Sequence, residues 1–155
     1  MLAMLAASGI ALALPEDADQ PINIRANEGE LDRVSRTGIY RGDVQVDQGT
    51  LRIKAETMTV VYKDQKVTRI TFNGTPATYQ QQLNADEEMV FANAKTIVYY
   101  TQNEKLELEG DAFLSQQGNE LRGEQIDYDI VAGKVDAESA GEGPIRMVVQ
   151  PDRAP

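Results

Sequence analysis

The sequence contains no cysteine, no histidine and no tryptophan, and only three phenylalanines. Without cysteine no disulfide can staple the fold, so its stability must come from packing and hydrogen bonds. Without histidine the commonest general base and metal ligand is missing. A Ser-His-Asp or Cys-His nucleophile and a His/Cys zinc site are therefore excluded. Carboxylates are plentiful, but the pairs Asp127/Asp129 and Glu107/Glu109 fall at i, i+2 on the polar face of strand-like segments. There they keep a face in solvent and do not form a glycosidase dyad. The acids also lack the spacing of a calcium loop. No catalytic residue, metal ligand or cofactor site is expected, and the chain does not read as an enzyme. Positive charge is scarce too: 15 Lys and Arg stand against 25 Asp and Glu, a formal net charge of −10. Such a body is unsuited to nucleic acid, whose binding rests on Lys/Arg contacts to phosphate, or to docking broadly on an anionic bilayer.

What is present begins with an uncharged run, MLAMLAASGIALALP, over residues 1–15. It is too short and Ala-rich for a membrane span of about 20 apolar residues. It reads as the apolar region of a secretory signal over residues 1–13, with Ala11-Leu12-Ala13 as the small-x-small cleavage site and no basic n-region ahead of it. The alternatives are a buried N-terminal helix or an uncleaved anchor. Residues 14–21 form a polar linker. Residues 22–150 are then one domain; removal of the leader leaves about 140 residues, enough for a real core.

Helical periodicity is absent over any window of a dozen residues; the best candidate, 83–89 (LNADEEM), reads as a loop or single turn. The pattern is instead strand-like, with strands expected near 22–26, 30–34, 38–47, 50–62, 66–73, 76–82, 89–101, 104–116, 119–131, 133–139 and 144–149. Many alternate apolar and polar side chains, as half-buried antiparallel strands do. Turn signals fall at Lys63-Asp64, Asn73-Gly74, Gln102-Asn103, Gln117-Gly118 and Ala132-Gly133. Strands of about twelve residues, at ~3.3 Å each, span about 40 Å and suit an elongated two-sheet slab.

A motif recurs four times. Ala26, Ala55, Ala94 and Gly123 are each followed five residues later by Leu31, Val60, Tyr99 or Tyr128, and eleven residues later by a turn position. The units are spaced 29, 39 and 29 residues apart, so the first two map onto the last two at an offset of 68. That offset superposes Gly42-Asp43 on Gly110-Asp111 and Gln48 on Gln116. A period in this range marks a supersecondary unit that must stack on its neighbours to bury its apolar face. The inward positions are mostly Ile, Val, Leu, Met and Ala, with Tyr79, Tyr99 and Tyr128 as the rings. Composition leaves two readings of this stripe open, an ordinary core and an apolar ligand groove.

Several blocks carry a resemblance. Gln20-Pro21-Ile22-Asn23-Ile24, Leu31-Asp32, the stretch from Tyr40 to Gly49 (YRGDVQVDQG), Ile53-Lys54-Ala55-Glu56, Gly74-Thr75-Pro76-Ala77-Thr78-Tyr79, Leu108-Glu109-Gly110-Asp111-Ala112 and Gly123-Glu124-Gln125-Ile126-Asp127-Tyr128 resemble the LptA family, also called OstA, in order and spacing. The resemblance runs from about Gln20 to Pro151. It implies an all-β, twisted β-jelly roll of antiparallel strands, open along one side, that holds lipid A acyl chains in an apolar groove between two sheets. It also implies a periplasmic lipopolysaccharide transport protein of a Gram-negative envelope, contributing to outer-membrane assembly. Such chains join head to tail by strand pairing, with LptC at one end and the N-terminal domain of LptD at the other. Family correspondence places Ile22, Ile24, Tyr79 and Tyr99 in the groove. Alternation adds Val44, Val46, Met58, Val60, Ile97, Leu106, Leu108, Leu114, Ile126 and Tyr128. The partner edges are expected at Ile22, Asn23 and Ile24 and at Ile145, Met147 and Val149, strands whose only blocking charges are Arg25 and Arg146. The basic residues Arg25, Arg52, Lys54 and Arg122 read as a solvated strand face first and as phosphate contacts second. The acidic loop from Gln80 to Glu88 departs from the family's more neutral connection. Competing readings are an LptC-like membrane-anchored adaptor of the same fold and a carbohydrate-binding β-solenoid. The first requires a longer hydrophobic anchor, the second outward aromatic platforms.

Overall fold

The structure, a computed structural model, describes residues 17, 19–82, 89–139 and 143–151. Among these described residues ten strands follow one another: β1 (Asn23–Arg25), β2 (Glu28–Asp32), β3 (Thr37–Gln48), β4 (Leu51–Lys63), β5 (Lys66–Gln82), β6 (Met89–Tyr100), β7 (Lys105–Gln116), β8 (Asn119–Asp129), β9 (Lys134–Glu138) and β10 (Arg146–Val148). All pairs are antiparallel, and the sheet does not close on itself: its order is β1-β3-β4-β5-β6-β7-β8-β10, with β2 also on β3 and β9 also on β8. The fold is antiparallel β, as the alternation implies, and unclosed, as the resemblance implies. The expected signal segment and the 83–89 loop lie outside the described residues, apart from Met89, which opens β6.

One expected turn is not formed. Residues 66–73 and 76–82 are not two strands joined by a turn at Asn73-Gly74 but one strand of 17 residues. The chain does not reverse there because both sides of the interruption pair with the same neighbours, β4 and β6, across a register shift. The Gly-Thr-Pro signal marks a bulge instead of a reversal.

Register shifts of this kind fall at one level in all five long pairs: Arg41/Val44, Lys54/Thr57, Asn73/Ala77, Asn93/Thr96 and Glu109/Ala112. Together they form a belt across the sheet. In β3 and β7 the belt is made by Gly42-Asp43 and Gly110-Asp111, the positions superposed by the 68-residue offset. Their φ angles agree closely, at 82° and 45° against 83° and 47°. Bulges bend strands and sharpen their twist. The belt therefore divides the sheet into two lobes of eight strand segments each. Lobe A holds β2, β9 and the portions of β3–β8 on one side; lobe B holds β1, β10 and the portions on the other.

The lobes cover each other. Away from the margins most inward side chains of both are 0–8% exposed and form one cluster, yet no second sheet is present among the described residues to shield them. Tyr99 and Tyr128 of lobe A also lie close enough to Tyr79 of lobe B to act electrostatically on its hydroxyl. The recurring small residues explain how the lobes meet. Ala55 pairs with Val44, Ala94 with Ala77 and Gly123 with Ala112, all on the belt, while Ala26 precedes Asn27, whose N–H donates to the carbonyls of Arg41 and Gly42. At Gly123 the belt leaves no room for a larger side chain. A Cβ on Gly123 would lie 3.1 Å from the Glu138 carbonyl oxygen and 3.3 Å from Ile145 Cγ2.

Candidate functional site: an apolar track and two open edges

Directly opposed residues of an antiparallel sheet place their side chains on the same face. Following the pairs across lobe A gives an unbroken inward row, Leu31–Gly38–Val60–Ile70–Tyr99–Leu106–Tyr128–Val135. The four +5 residues of the recurring motif are all members of it. One level closer to the belt runs Gly29–Tyr40–Met58–Phe72–Ile97–Leu108–Ile126–Ala137. Across the belt, lobe B carries Ile24–Val46–Ile53–Tyr79–Ala92–Leu114–Leu121–Met147. These three rows line one continuous apolar interior that runs the width of the sheet.

Twelve of the expected groove residues have inward places here. Val46, Tyr79 and Leu114 share the lobe B row, while Met58, Val60, Ile97, Tyr99, Leu106, Leu108, Ile126 and Tyr128 fill the lobe A rows. Val44 stands on the belt. All twelve belong to or pack on the buried cluster. Ile24 is the first rung of the lobe B row, but it sits on an edge strand and is 41% exposed. Ile22 precedes β1 and is 60% exposed, outside any row. Sequence reasoning missed Phe72, Ile53, Val90 and Leu121, at 1%, 4%, 0% and 8% exposure. The signal was available: inward parity shifts at each small residue, running 53, 55 and then 58, 60 in β4, so an alternation read straight through loses one side.

Among the described residues no buried side-chain polar atom lacks a hydrogen-bond partner. Tyr79 Oη donates to Gln81 Oε1 at 2.5 Å. Burial raises its pKa well above the ordinary phenol value, and Tyr128, Tyr99 and Asp17 add to the rise. Tyr99 is raised as well, by burial first and then by Glu104. Asp17 in the expected linker is not solvated but 5% exposed. Its carboxylate accepts from Thr50 N at 2.8 Å, from Thr50 Oγ1 and from Gln81 Nε2 at 3.4 Å. The basic residues serve the outer surface. Arg52 pairs with Asp47 at 2.7 Å, Arg25 donates to Gln45, and the Arg122 guanidinium sits 4.4 Å from the Phe113 ring centroid.

The edges are more elaborate than the sequence implied. Each is shared by two short strands laid end to end, β1 with β2 along β3 and β10 with β9 along β8. Asn23, Ile24 and Met147 lie on these edges, but Ile145 and Val149 flank β10 instead of lying in it. Every residue of β1, β2 and β10 is exposed. A concavity of about 680 Å³ lined by Leu31, Arg33, Arg36 and Tyr62 opens beside the exposed end of the first row.

The chain matches the family described as LptA/(LptD N-terminal domain) LPS transport protein over residues 23–134. It belongs to that family. The lipopolysaccharide export system protein LptH of Pseudomonas aeruginosa is 34% identical over 154 residues, covering 94% of this chain and 88% of that protein. LptA of Haemophilus influenzae is 31% identical, covering 97% and 88%, and LptA of Escherichia coli is 32% identical, covering 97% and 82%. The crystal structure of P. aeruginosa LptH, titled as the LptA-homologous periplasmic component of the lipopolysaccharide transport device, superposes with a TM-score of 0.79. It is 35% identical and covers 88% of this chain and all of that one. The match to an unclosed β-fold of this family agrees with the architecture above, and its members are transport proteins, not enzymes.

Proposed function

We propose that the protein is a periplasmic carrier of lipopolysaccharide that holds lipid A acyl chains between its two lobes and passes them along the sheet. The observation that carries this reading is the set of three apolar rows, each eight residues wide, that run unbroken from one edge to the other. Each buried methylene is worth about 0.8 kcal/mol, so acyl chains do not cross water unaided. Rows of near-equivalent rungs let a chain advance with little change in free energy per step. Because the rungs are packed on one another, loading parts the lobes, and acyl contacts replace contacts between them. The acidic surface leaves the lipid A phosphates in solvent, so recognition rests on the chains.

The edges supply the second half of the reading. An unpaired edge strand is a template for another chain. Each lobe has eight alternately directed segments, so its first and last strands run in opposite senses. The last strand of one molecule therefore meets the first of the next antiparallel, in both lobes at once. Continued registry sets the half-buried Val135 on Leu31 and Met147 on Ile24 of the next copy, covering the exposed rungs Leu31, Ile24 and Met147. Chains joined this way form a bridge, with LptC at the inner-membrane end and the LptD N-terminal domain at the outer-membrane end.

The test is site-specific photo-crosslinking in cells. Probes at inward Tyr99 or Leu114 should give lipopolysaccharide adducts, and a probe at outward Glu107 should not. Equal labelling at all three positions overturns the track.

A further inference from the structure

The outward side chains of lobe A form rows of their own, and one is made of carboxylates. Glu107, Asp127 and Asp136 stand directly opposite one another on β7, β8 and β9. Like charges in direct cross-strand registry weaken pairing. The nearby cations offset this little: Lys134 lies 3.6 Å from Asp136, but Lys105 lies 3.9 Å from Asp129, outside the row. Among the described residues no such group is arranged to hold a metal ion. The row stops at β9 because the sheet does. At the other edge, β2 carries Glu30 at the same level, through Ile39, Thr59, Thr71 and Val98. One level nearer the belt the row begins at Glu28 and ends at Glu138.

We infer that the joint between two copies of this chain is limited by charge. The register that completes the apolar rows sets Asp136 against Glu30 and Glu138 against Glu28 of the next copy. In lobe B it sets Arg146 against Arg25. Only Lys134 against Asp32 attracts. Arg41, 3.7 Å from Glu30 on its own molecule, tempers the repulsion without removing it. Apolar rungs drive the copies together while the outer face pushes them apart, which keeps the joint reversible. A different chain whose first edge strand presents Lys or Arg at two outward positions, i and i+2, is held more tightly than a copy. This inference rests on the end-to-end joint proposed above.

The experiment is sedimentation equilibrium of the purified protein and of the E28K/E30K variant, across a salt series. Raising salt from about 20 to about 300 mM shortens the screening length from roughly 20 Å to roughly 6 Å. The wild-type dissociation constant should then fall roughly five- to tenfold, opposite to the response of a salt-bridged joint. At low salt the variant should associate roughly tenfold more tightly than wild type and weaken as salt rises. Circular dichroism and an unchanged unfolding midpoint show that it is folded. Wild-type association that is unaffected or weakened by salt overturns the charge limitation and leaves the end-to-end joint standing. Both proteins remaining monomeric throughout overturns the joint, and this inference with it.

Discussion

Compare the middle of the sheet with its two margins. Phe72, Ile97 and Leu108 occupy one row and are 1%, 0% and 0% exposed; Leu31, Ile24 and Met147 end rows of the same chemistry and are 62%, 41% and 64% exposed. Nothing in side-chain type distinguishes the two sets. What differs is the number of neighbouring strands, two in the middle and one at the margin. In an unclosed sheet, burial is thus a property of position along the stacking direction. The margins are where another chain can finish the structure.

The comparison predicts a wide separation in cost. Phe72→Ala leaves a void in a closely packed interior, and such truncations cost about 3–5 kcal/mol. Denaturant unfolding followed by circular dichroism should show a loss of that size with an unchanged slope. A loss below about 1 kcal/mol would mean that the lobes already part freely, and the contrast between middle and margin would collapse.

How much of this was legible beforehand depends on the physics involved. Strand identity, inward faces and the repeat were readable, because alternation is local and the 68-residue offset preserves it. The belt was only half visible. Gly42-Asp43 and Gly110-Asp111 stood out as matching positions, but that they bend the sheet follows only from pairing across strands. Asn73-Gly74 has the composition of a turn, and only partners on both sides of it show the strand continuing. The edges were read only in part for the same reason. β2 and β9 look like interior strands in sequence, yet each shares a margin with a terminal strand because neighbouring long strands are crossed by the belt. Asp17 was unreadable, since its partners Thr50 and Gln81 lie 33 and 64 residues away.

The belt itself gives the next prediction. Gly110 has φ +83°, and a Cβ there would meet the Lys95 side chain at 3.0 Å. Gly110→Ala should cost about 1–2 kcal/mol from the left-handed backbone. Gly133, also at positive φ (+66°) but with open space around it, should show the backbone cost without the contact. A smaller loss at Gly110 than at Gly133 would mean that the belt yields at that point.

Alkaline pH sharpens the contrast from the buried side. The Tyr79 hydroxyl keeps its proton in the folded state above the ordinary value of 10.0. On unfolding it ionises like any exposed phenol, so above pH 10 the unfolded state binds fewer protons than the folded one. Its contribution is therefore complete below pH 10 and declines as pH rises, by up to about 1.4 kcal/mol per unit. Tyr79→Phe should flatten that decline, while at neutral pH it costs about 1 kcal/mol for the hydrogen bond to Gln81. An identical alkaline slope in the variant would show that water reaches the phenol between the lobes.

The smallest effect belongs to the margins, and its smallness is the point. Leu31→Ala and Met147→Ala remove side chains that are mostly in water, so folding loses little apolar burial, within about 0.5 kcal/mol. In the joined state the same two atoms sets become interior rungs, and each truncation then forfeits burial of several methylenes at about 0.8 kcal/mol apiece. Unfolding midpoints measured at high dilution should hardly move, whereas self-association should weaken at least tenfold for either variant. Should both quantities stay put, the exposed rungs are ordinary surface. Should both drop together, they already support the isolated fold, and the distinction between a finished middle and an unfinished margin fails.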